Sequence, residues 1–452
     1  MGLVKPFGSR THSVDPTDSE YGDMVKHQFA RNLISFSFLT LSVFSSLSGG
    51  NALAQSSGLS VSDYARACAA EIGPIPPFSC NAGVTAVPGD DLGTLLKSLA
   101  VRVPPSQILP ISIDGRYVGE GPGEIPASEI EDDTRCDRPK VLGGGEGHCQ
   151  PYSRIGRLPS VGPDGADDDD VHWTYICRRY NLQHNGATVS PTDDLFEDVA
   201  IIGSRASTGA TCFFQMLGLK SAARVPSPME TPDETPDGHL TAEEFWLPAK
   251  AANPGQSDVA NIPCYECHNR DPWIHTPYVD QVCLRDSATG GCQQDAAGPV
   301  PIVPRGADRR NFSGLEPYSF VAAAELGWPT QWETVDVDID EDGNLDPAEK
   351  CTQCHRVGTN GPGRFNYCST ILVNSLGRDS AFSNRYLSST GKRIYHRVWM
   401  PPEGSVGLPP PAVGETVWEQ AHQALYPPEY LDKIVSCCRN PDQRFCVRQT
   451  LP

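Results

Sequence analysis

The order of apolar and polar residues predicts strands in the middle of the chain. Residues 173–177 form one run of aromatic and β-branched side chains, and residues 198–202 and 211–215 form two more. The last two runs are separated by the polar segment 204–209, which ends in glycine. Apolar runs bounded by polar turns are typical of strands. The pattern therefore predicts a pair of strands joined by this turn, with a further strand before them.

Helical spacing of apolar residues appears on both sides of these strands. Ser60 stands where a helix cap is expected before the first such segment, and Gly327 stands just past the end of the third. Residues 91–102 place four leucines on one helical face. The predicted helices cover residues 61–72, 91–102, 317–326, 412–426 and 430–438.

The proline-rich segment 225–232 resembles a linker and divides the chain. We expect a leader and signal peptide at 1–54, a disulfide-rich α+β domain at 55–225, and a second, mainly α domain at 226–452. The 42 glycines and 41 prolines predict much irregular backbone in both domains.

The N-terminal residues are typical of an export signal. Residues 33–44 are apolar but too short to span a bilayer comfortably, and basic residues precede them. Ala54 ends a small-residue cleavage site, and Met24 is a candidate for the true start. No other stretch approaches a membrane span, so we expect a periplasmic or secreted protein without an integral membrane span.

Cysteine usage agrees with export. The chain has 16 cysteines, and an even remainder outside the motifs described below predicts up to six disulfides. Close spacing favours three pairs, 68–80, 136–149 and 283–292. Cys437 and Cys438 are neighbours and are expected to bond elsewhere, because a bridge between adjacent cysteines is strained.

The net charge of -20 narrows the possible partners. An acidic surface disfavours nucleic acid and anionic lipid, and it suits a basic protein or cations. A plain solvated acidic surface explains the charge equally well. The sequence gives no oligomeric state.

Two five-residue stretches, 264–268 and 351–355, each read C-x-x-C-H, the signature of covalent c-type haem attachment. The spacing suits that chemistry, because two thiols on one helical turn can each form a thioether with the haem edge. The histidine that follows then reaches the iron from one face. A redox or zinc C-x-x-C pair is the alternative. We predict two covalently bound c-type haems, held by Cys264, Cys267, His268, Cys351, Cys354 and His355.

The sixth iron ligand separates an electron carrier from an enzyme. A filled position favours electron transfer, whereas an open one admits small ligands. For the second haem, Met400 is the leading candidate and His396 the alternative; for the first haem, His275 leads and an open site is the alternative. The other histidines that we considered are His148, His172, His184, His239 and His422.

Residues 338–349 resemble the EF-hand calcium loop, D-x-D-x-D-G-x₅-E, at every ligand position. Gly343 would permit the sharp turn of that loop. The alternative is an ordinary acidic surface loop. Calcium would take oxygens from Asp338, Asp340, Asp342, Asn344, Asp346 and Glu349.

A weaker match lies at 233–244, where Thr235 replaces the usual carboxylate or amide at the third position. Its predicted metal ligands are Asp233, Asp237 and Glu244. In the stronger loop, Glu349 lies two residues before Cys351, so we expect calcium to support the second haem structurally. A calcium sensor is the alternative.

The two C-x-x-C-H motifs and Met400-Pro401 resemble the c-type cytochromes, over short motifs in the C-terminal half of the chain. The resemblance implies export of the unfolded chain, haem attachment outside the cytoplasm and electron transfer with a redox protein partner. Bacterial di-haem peroxidases also pair two haems with calcium. In those enzymes one haem lies near the N-terminus and the motifs are much farther apart.

The expected fold is therefore α+β, a disulfide-stapled haem-free N-terminal domain followed by a mainly α di-haem cytochrome c domain with much irregular loop. The expected function is that of an exported di-haem c-type cytochrome, stabilised by calcium, that carries electrons between redox partners. One alternative is a peroxidase- or oxygenase-like enzyme with one open haem site. The other is a binding protein with accessory haems.

Overall fold

A computed structural model provides the structure of the protein. It describes residues 58–84, 106–113, 116–130, 150–262, 264–268, 272–273, 279, 282–286, 289–295, 298–300, 302–304, 318–330, 332–338, 340–344, 433, 436–437, 440 and 442–451.

The first helix, α1, spans Val61–Glu71 and confirms the predicted helix almost to the residue. Its Ser60 cap accepts a hydrogen bond from the backbone N–H of Asp63 at 3.0 Å. Such a bond satisfies an amide that has no partner within the helix. Tyr64 and Cys68 lie on the buried face of α1, which packs against the central sheet.

Strands make up most of the regular structure that follows. The short strands before the central ones are β1 Phe78–Ser79, β2 Gly83–Val84, β3 Gln107–Ile108, β4 Ser112–Ile113 and β5 Arg116–Tyr117. The central strands and the small hairpin between them are β6 Arg154–Leu158, β7 Val171–Arg178, β8 Gln183–His184, β9 Ala187–Thr188, β10 Leu195–Arg205 and β11 Ala210–Ser221.

The second half of the chain adds short elements. Its helices are single turns, α2 Ala242–Phe245, α3 Cys264–Cys267 and α4 Ala323–Leu326. Its strands are β12 Gln294–Asp295, β13 Gly298–Pro299, β14 Ser319–Phe320, β15 Trp332–Val337 and β16 Cys446–Leu451.

Six strands form one sheet in the order β14-β11-β10-β7-β6-β3. The three predicted strands are confirmed as parts of β7, β10 and β11, and β10 and β11 pair as the expected antiparallel hairpin. The strand β14 joins the free edge of β11 in parallel, with Ala210 opposite Ser319. The sheet therefore takes strands from both halves of the chain.

Alternation along the strands gives the sheet two different faces. Trp173, Tyr175 and Phe214 belong to the core on the face that meets α1. Gly203 lies opposite Trp173 on that face, and a Cβ at Gly203 would overlap the tryptophan ring. Phe213 points to the other face, where its ring meets the segment that contains α3.

The main core also joins residues from both sides of the predicted domain boundary. Val225 is fully buried and pairs its backbone with Phe78, while Trp246 donates from its ring nitrogen to the carbonyl of Pro226 at 2.9 Å. Trp328 belongs to the same cluster. Within the described residues, segments before and after residue 225 share one core.

The prediction of a mainly α second domain is wrong, because the described structure is mainly β-sheet. One predicted helix, 317–326, shows the reason. Its residues Ser319–Phe320 form the strand β14, Ala322 then adopts a left-handed backbone with φ of 56°, and Ala323–Leu326 is helical. Pairing with the edge of β11 overrides the local helical pattern. Gly327 does end the helix, with φ of 75°.

The remaining predicted helices lie outside the described residues. This holds for 91–102, for 412–426 and for all but three positions of 430–438. Among the described residues, no helix combines the length and apolar character that crossing a membrane would require.

The disulfides partly follow the prediction. Cys283–Cys292 is confirmed, and Cys437 bonds to Cys446 rather than to its neighbour, as expected. The 68–80 pair is wrong, because Cys68 bonds to Cys212 and Cys80 to Cys177. The first bridge ties α1 to β11, and the second ties Cys80, just after β1, to β7. The pair 136–149 lies outside the described residues.

Candidate functional site

The first C-x-x-C-H motif forms one helical turn. α3 covers its two cysteines, and the backbone N–H of His268 donates to the carbonyl of Cys264 at 2.8 Å. This bond closes the turn, so residues 264, 267 and 268 lie along one short piece of helix. Cys264 is half-buried at the edge of the core.

The ring of His268 is oriented by a backbone carbonyl. Its Nδ1 lies 2.8 Å from the oxygen of Pro272. A carbonyl oxygen only accepts hydrogen bonds, so Nδ1 carries the proton and the acceptor lone pair is on Nε2. Metal-binding histidines usually fix their tautomer in this way. The arrangement therefore suits binding of a metal through Nε2.

Aromatic side chains hold the backbone and ring of this histidine. The hydroxyl of Tyr318 donates to the carbonyl of His268 at 2.6 Å, and the ring of Phe213 lies 5.3 Å from the imidazole. Phe213 in turn meets Phe320 and Trp328, at ring distances of 5.7 and 5.8 Å. The motif is thus anchored on the sheet through β11 and β14.

Two charged or polar groups beside Cys264 have shifted pKa values. Burial raises the pKa of Tyr64, and the charge of Cys264 adds to this, while a hydrogen bond from Phe213 opposes it. For Arg178, burial lowers the pKa, but the Asp198 carboxylate at 2.7 Å and Tyr180, with a smaller contribution from Cys264, outweigh it and the pKa rises. Arg178 therefore stays charged and Tyr64 stays neutral around the motif.

The residues of the first motif fit a covalently bound haem. Two cysteines of one turn and the histidine that follows them, with Nδ1 bonded to a backbone carbonyl, are the residue types that such a haem requires. The sequence analysis missed Pro272 and Tyr318, which orient the histidine. A signal for Pro272 existed, because a proline close after a metal-binding histidine offers a carbonyl on a rigid backbone.

The described histidines differ in their suitability as a sixth ligand. His184 has its Nε2 2.9 Å from a carboxylate oxygen of Glu197 and its Nδ1 3.3 Å from one of Asp193, so both nitrogens are engaged. His239 is exposed in a loop. His172 lies on β7, on the sheet face that also carries Phe213. Of these three, His172 is the one placed on the face that meets His268.

Several predicted site residues lie outside the described part of the chain. These are Cys351, Cys354, His355, His275, Met400, His396, His148, His422, Asp346 and Glu349.

The acidic loop at 338–344 brings three carboxylates together. Asp338, Asp340 and Asp342 each place one oxygen so that all three oxygens lie within 4.8 Å of one another. Among the described residues, this is the one such group of three or more potential metal ligands. Spacing of this kind suits a cation that takes oxygen ligands.

Hydrogen bonds within the loop fold it around these carboxylates. The N–H of Gly343 donates to Asp338 Oδ2 at 2.9 Å, and the N–H of Asn344 donates to Asp342 Oδ1 at 2.7 Å. Gly343 has φ of 88°, a left-handed backbone that glycine adopts without strain. The sequence predicted a sharp turn at this position, and the turn is present.

Asp338 leaves one oxygen unsatisfied. The residue is only 5% exposed, and its Oδ1 is buried without a hydrogen-bond partner. An unpaired buried oxygen of this kind costs about 1–3 kcal/mol, and more when it is charged. A bound cation would remove that cost, so the buried oxygen fits a metal better than it fits an ordinary surface loop.

The second predicted calcium loop has a different arrangement. Asp233 and Asp237 are exposed, and neither belongs to the group of close carboxylates. Glu244 is used as a capping residue: its carboxylate accepts from the backbone N–H of Thr241 at 2.9 Å. This bond, with the Thr241 hydroxyl, lowers the pKa of Glu244.

No family model, curated protein or solved structure matches the chain. The functional argument therefore rests on the chain's own residues.

Proposed function

We propose that the protein is an exported di-haem c-type cytochrome that carries electrons between redox partners and is stabilised by calcium. The observation that carries this proposal is the hydrogen bond from His268 Nδ1 to the carbonyl of Pro272, on the helical turn that contains Cys264 and Cys267. It supports a haem site, because metal-binding histidines usually have their other ring nitrogen bonded in this way, whereas a chance C-x-x-C-H motif does not require such a bond.

Each residue around the proposed first haem would have a different role. Cys264 and Cys267 would hold the group covalently, His268 would bind the iron through Nε2, and Tyr318 would keep the backbone of the histidine in place. The aromatic ring of Phe213 excludes water from one side of the imidazole. A bound haem would supply a one-electron couple.

Two further features support an exported, calcium-binding protein. The four described disulfides are typical of chains that fold in an oxidising compartment. The buried, unpartnered oxygen of Asp338 favours a cation at the acidic loop. In this proposal calcium has a structural role, since an exported protein usually meets a steady calcium concentration.

The haem proposal is tested by a haem count on full-length protein made in a host with c-type haem attachment. The expected result is two covalent haems in the wild type and one in the Cys264→Ser/Cys267→Ser variant. The matched control, Cys283→Ser/Cys292→Ser, removes a disulfide and should retain two. A wild type without covalent haem would overturn the proposal.

The electron-carrier role is tested by adding carbon monoxide to the reduced protein. No spectral response is expected, because each iron should be six-coordinate with two protein ligands, which leaves no position for carbon monoxide. A response from one haem would contradict the electron carrier and favour a small-molecule site. If the wild type does not respond, His172→Ala and His275→Ala, measured separately, should identify the sixth ligand of the first haem, because loss of that ligand opens the iron to carbon monoxide.

The calcium proposal is tested by isothermal titration of the calcium-free protein with calcium chloride. Asp338→Asn should abolish or greatly weaken binding at one site. Asp237→Asn, in the loop whose carboxylates are not gathered, is the matched control and should leave that site unchanged. A wild type that binds no calcium would remove calcium from the proposal and leave the haem proposal standing.

A further inference from the structure

The acidic loop is attached to the C-terminal end of the chain by its backbone. β15 leads directly into the loop, and β16 pairs with it in antiparallel register from Trp332–Leu451 to Val337–Cys446. One residue further on, the N–H of Asp338 donates to the carbonyl of Phe445 at 2.9 Å. The first predicted calcium ligand is therefore positioned by the C-terminal segment.

Side chains add a second attachment at a loop position that is not a calcium ligand. Glu341 is not part of the group of close carboxylates, and it pairs with Lys433 at 3.0 Å and with Arg444. Lys433 also lies over the ring of Phe445, 5.3 Å from its centre. Glu341 and Lys433 are about three-quarters buried, whereas the Arg444 side chain is 84% exposed. The pair with Lys433 is thus the stronger tether.

A disulfide fixes the segment that supplies these contacts. Cys437–Cys446 joins cysteines nine positions apart at the start of β16, and Gln443, between them, donates to the hydroxyl of Ser436, just before the first cysteine, at 2.7 Å. Cys446 is the residue opposite Val337, next to Asp338. The bridge therefore lies at the end of the ladder that is closest to the acidic loop.

We propose that this C-terminal segment, through its described residues 433, 436–437 and 442–451, is a latch that holds the acidic loop in position for calcium, fastened by the Cys437–Cys446 disulfide and the Glu341–Lys433 ion pair. The inference rests on the proposed calcium site and adds the part of the chain that positions its first ligand, Asp338. Loss of either fastening lets the backbone at Asp338 move, and calcium binding then has to restore it at a cost in affinity.

The test is calcium titration of the full-length protein and two variants. Cys437→Ser/Cys446→Ser should bind calcium at least tenfold more weakly than the wild type. Cys283→Ser/Cys292→Ser removes a bridge of the same nine-residue span away from the loop and should bind normally. Equal affinity in the wild type and the Cys437→Ser/Cys446→Ser variant would overturn the latch and leave the calcium site intact.

The Lys433→Gln variant distinguishes two roles of Lys433, holding the loop in place and adding a positive charge near the calcium site. It leaves both disulfides intact. If Lys433 acted only through its charge, its removal would strengthen calcium binding, because a cation near the site would be lost. The latch predicts the opposite sign, a severalfold weaker affinity. Tighter binding would overturn the positional role of Lys433. A wild type that fails to bind calcium would instead refute the site on which the latch depends.

Discussion

The central sheet and the acidic loop are both held by strands and disulfides, but by different physical means. In the sheet region, fully buried rings such as Trp173 and Phe214 fill the core, and the bridges Cys68–Cys212 and Cys80–Cys177 span 144 and 97 residues. In the acidic loop, Asp340 and Asp342 are exposed and the nearby bridge spans nine residues. The sheet is stabilised by apolar burial, whereas the loop needs a counter-charge.

Removal of a long bridge should show the largest effect in this comparison. Closing a loop of about 100 residues or more restricts the unfolded chain by roughly 5 kcal/mol on the chain-entropy model. Cys68→Ser/Cys212→Ser is therefore expected to lower the free energy of unfolding by about 4–5 kcal/mol in a denaturant titration. The Cys283→Ser/Cys292→Ser variant, which opens a nine-residue loop, should lose roughly half as much. Equal losses would contradict the distinction between long and short bridges.

Calcium removal should act on the other region. At calcium concentrations one hundred times the dissociation constant, calcium binding raises the free energy of unfolding by about 2.7 kcal/mol. Chelation should therefore make the amides of β15 and β16 exchange hydrogen faster, as measured by mass spectrometry. The amides of β10 and β11 should keep their protection. Loss of protection in the sheet as well would mean that the two regions unfold together.

Tyr64→Phe tests a single polar contact inside the sheet region. The Tyr64 hydroxyl accepts from the backbone N–H of Phe213 at 3.2 Å, and Phe213 carries the contact with His268. Leaving that N–H buried without a partner should cost about 1–2 kcal/mol in denaturant unfolding. Tyr117→Phe, at a residue that is 45% exposed, is the control and should change stability little.

Alkaline pH should produce the smallest effect, again in the sheet region. Burial raises the pKa of Tyr64 and of Tyr175 above the ordinary value of about 10. The folded state then keeps phenol protons that the unfolded state releases, so this contribution is complete below pH 10 and declines as pH rises further. At pH 11 the loss should be about 1 kcal/mol for each tyrosine. Thermal melts of wild type and Tyr64→Phe between pH 9 and 11 measure it, and parallel curves would contradict it.

Local sequence signals predicted the elements whose causes are local. Ser60 and the apolar spacing after it predicted α1, and the alternation in 198–202 and 211–215 predicted the β10–β11 hairpin. The turn at Gly343 was also predicted, because a glycine at this place in an acidic loop allows the left-handed backbone that the sharp turn requires. These features depend on a few consecutive residues.

Features set by distant parts of the chain could not be predicted in this way. The pairing of Cys68 with Cys212 follows from the packing of α1 on β11, which no spacing of cysteines records. Strand β14 was predicted as part of a helix, because Gly327 marks a helix end after it, and the pairing of residues 319–320 is decided by the distant edge of β11. The contacts of Phe445 and Lys433 with the acidic loop likewise join residues far apart in sequence.

The parallel pairing of β14 with β11 sets a limit on the order of folding. In a chain made from its N-terminus, the edge of β11 at Ala210 and Thr211 is present long before Ser319 and Phe320, which pair with it. Pairings of such high contact order form slowly, because the intervening chain must first be brought together. The Cys264 motif lies between the two strands, so it emerges while the sheet is still incomplete. The edge of the sheet is thus completed only after residues 264–268 have already joined the chain.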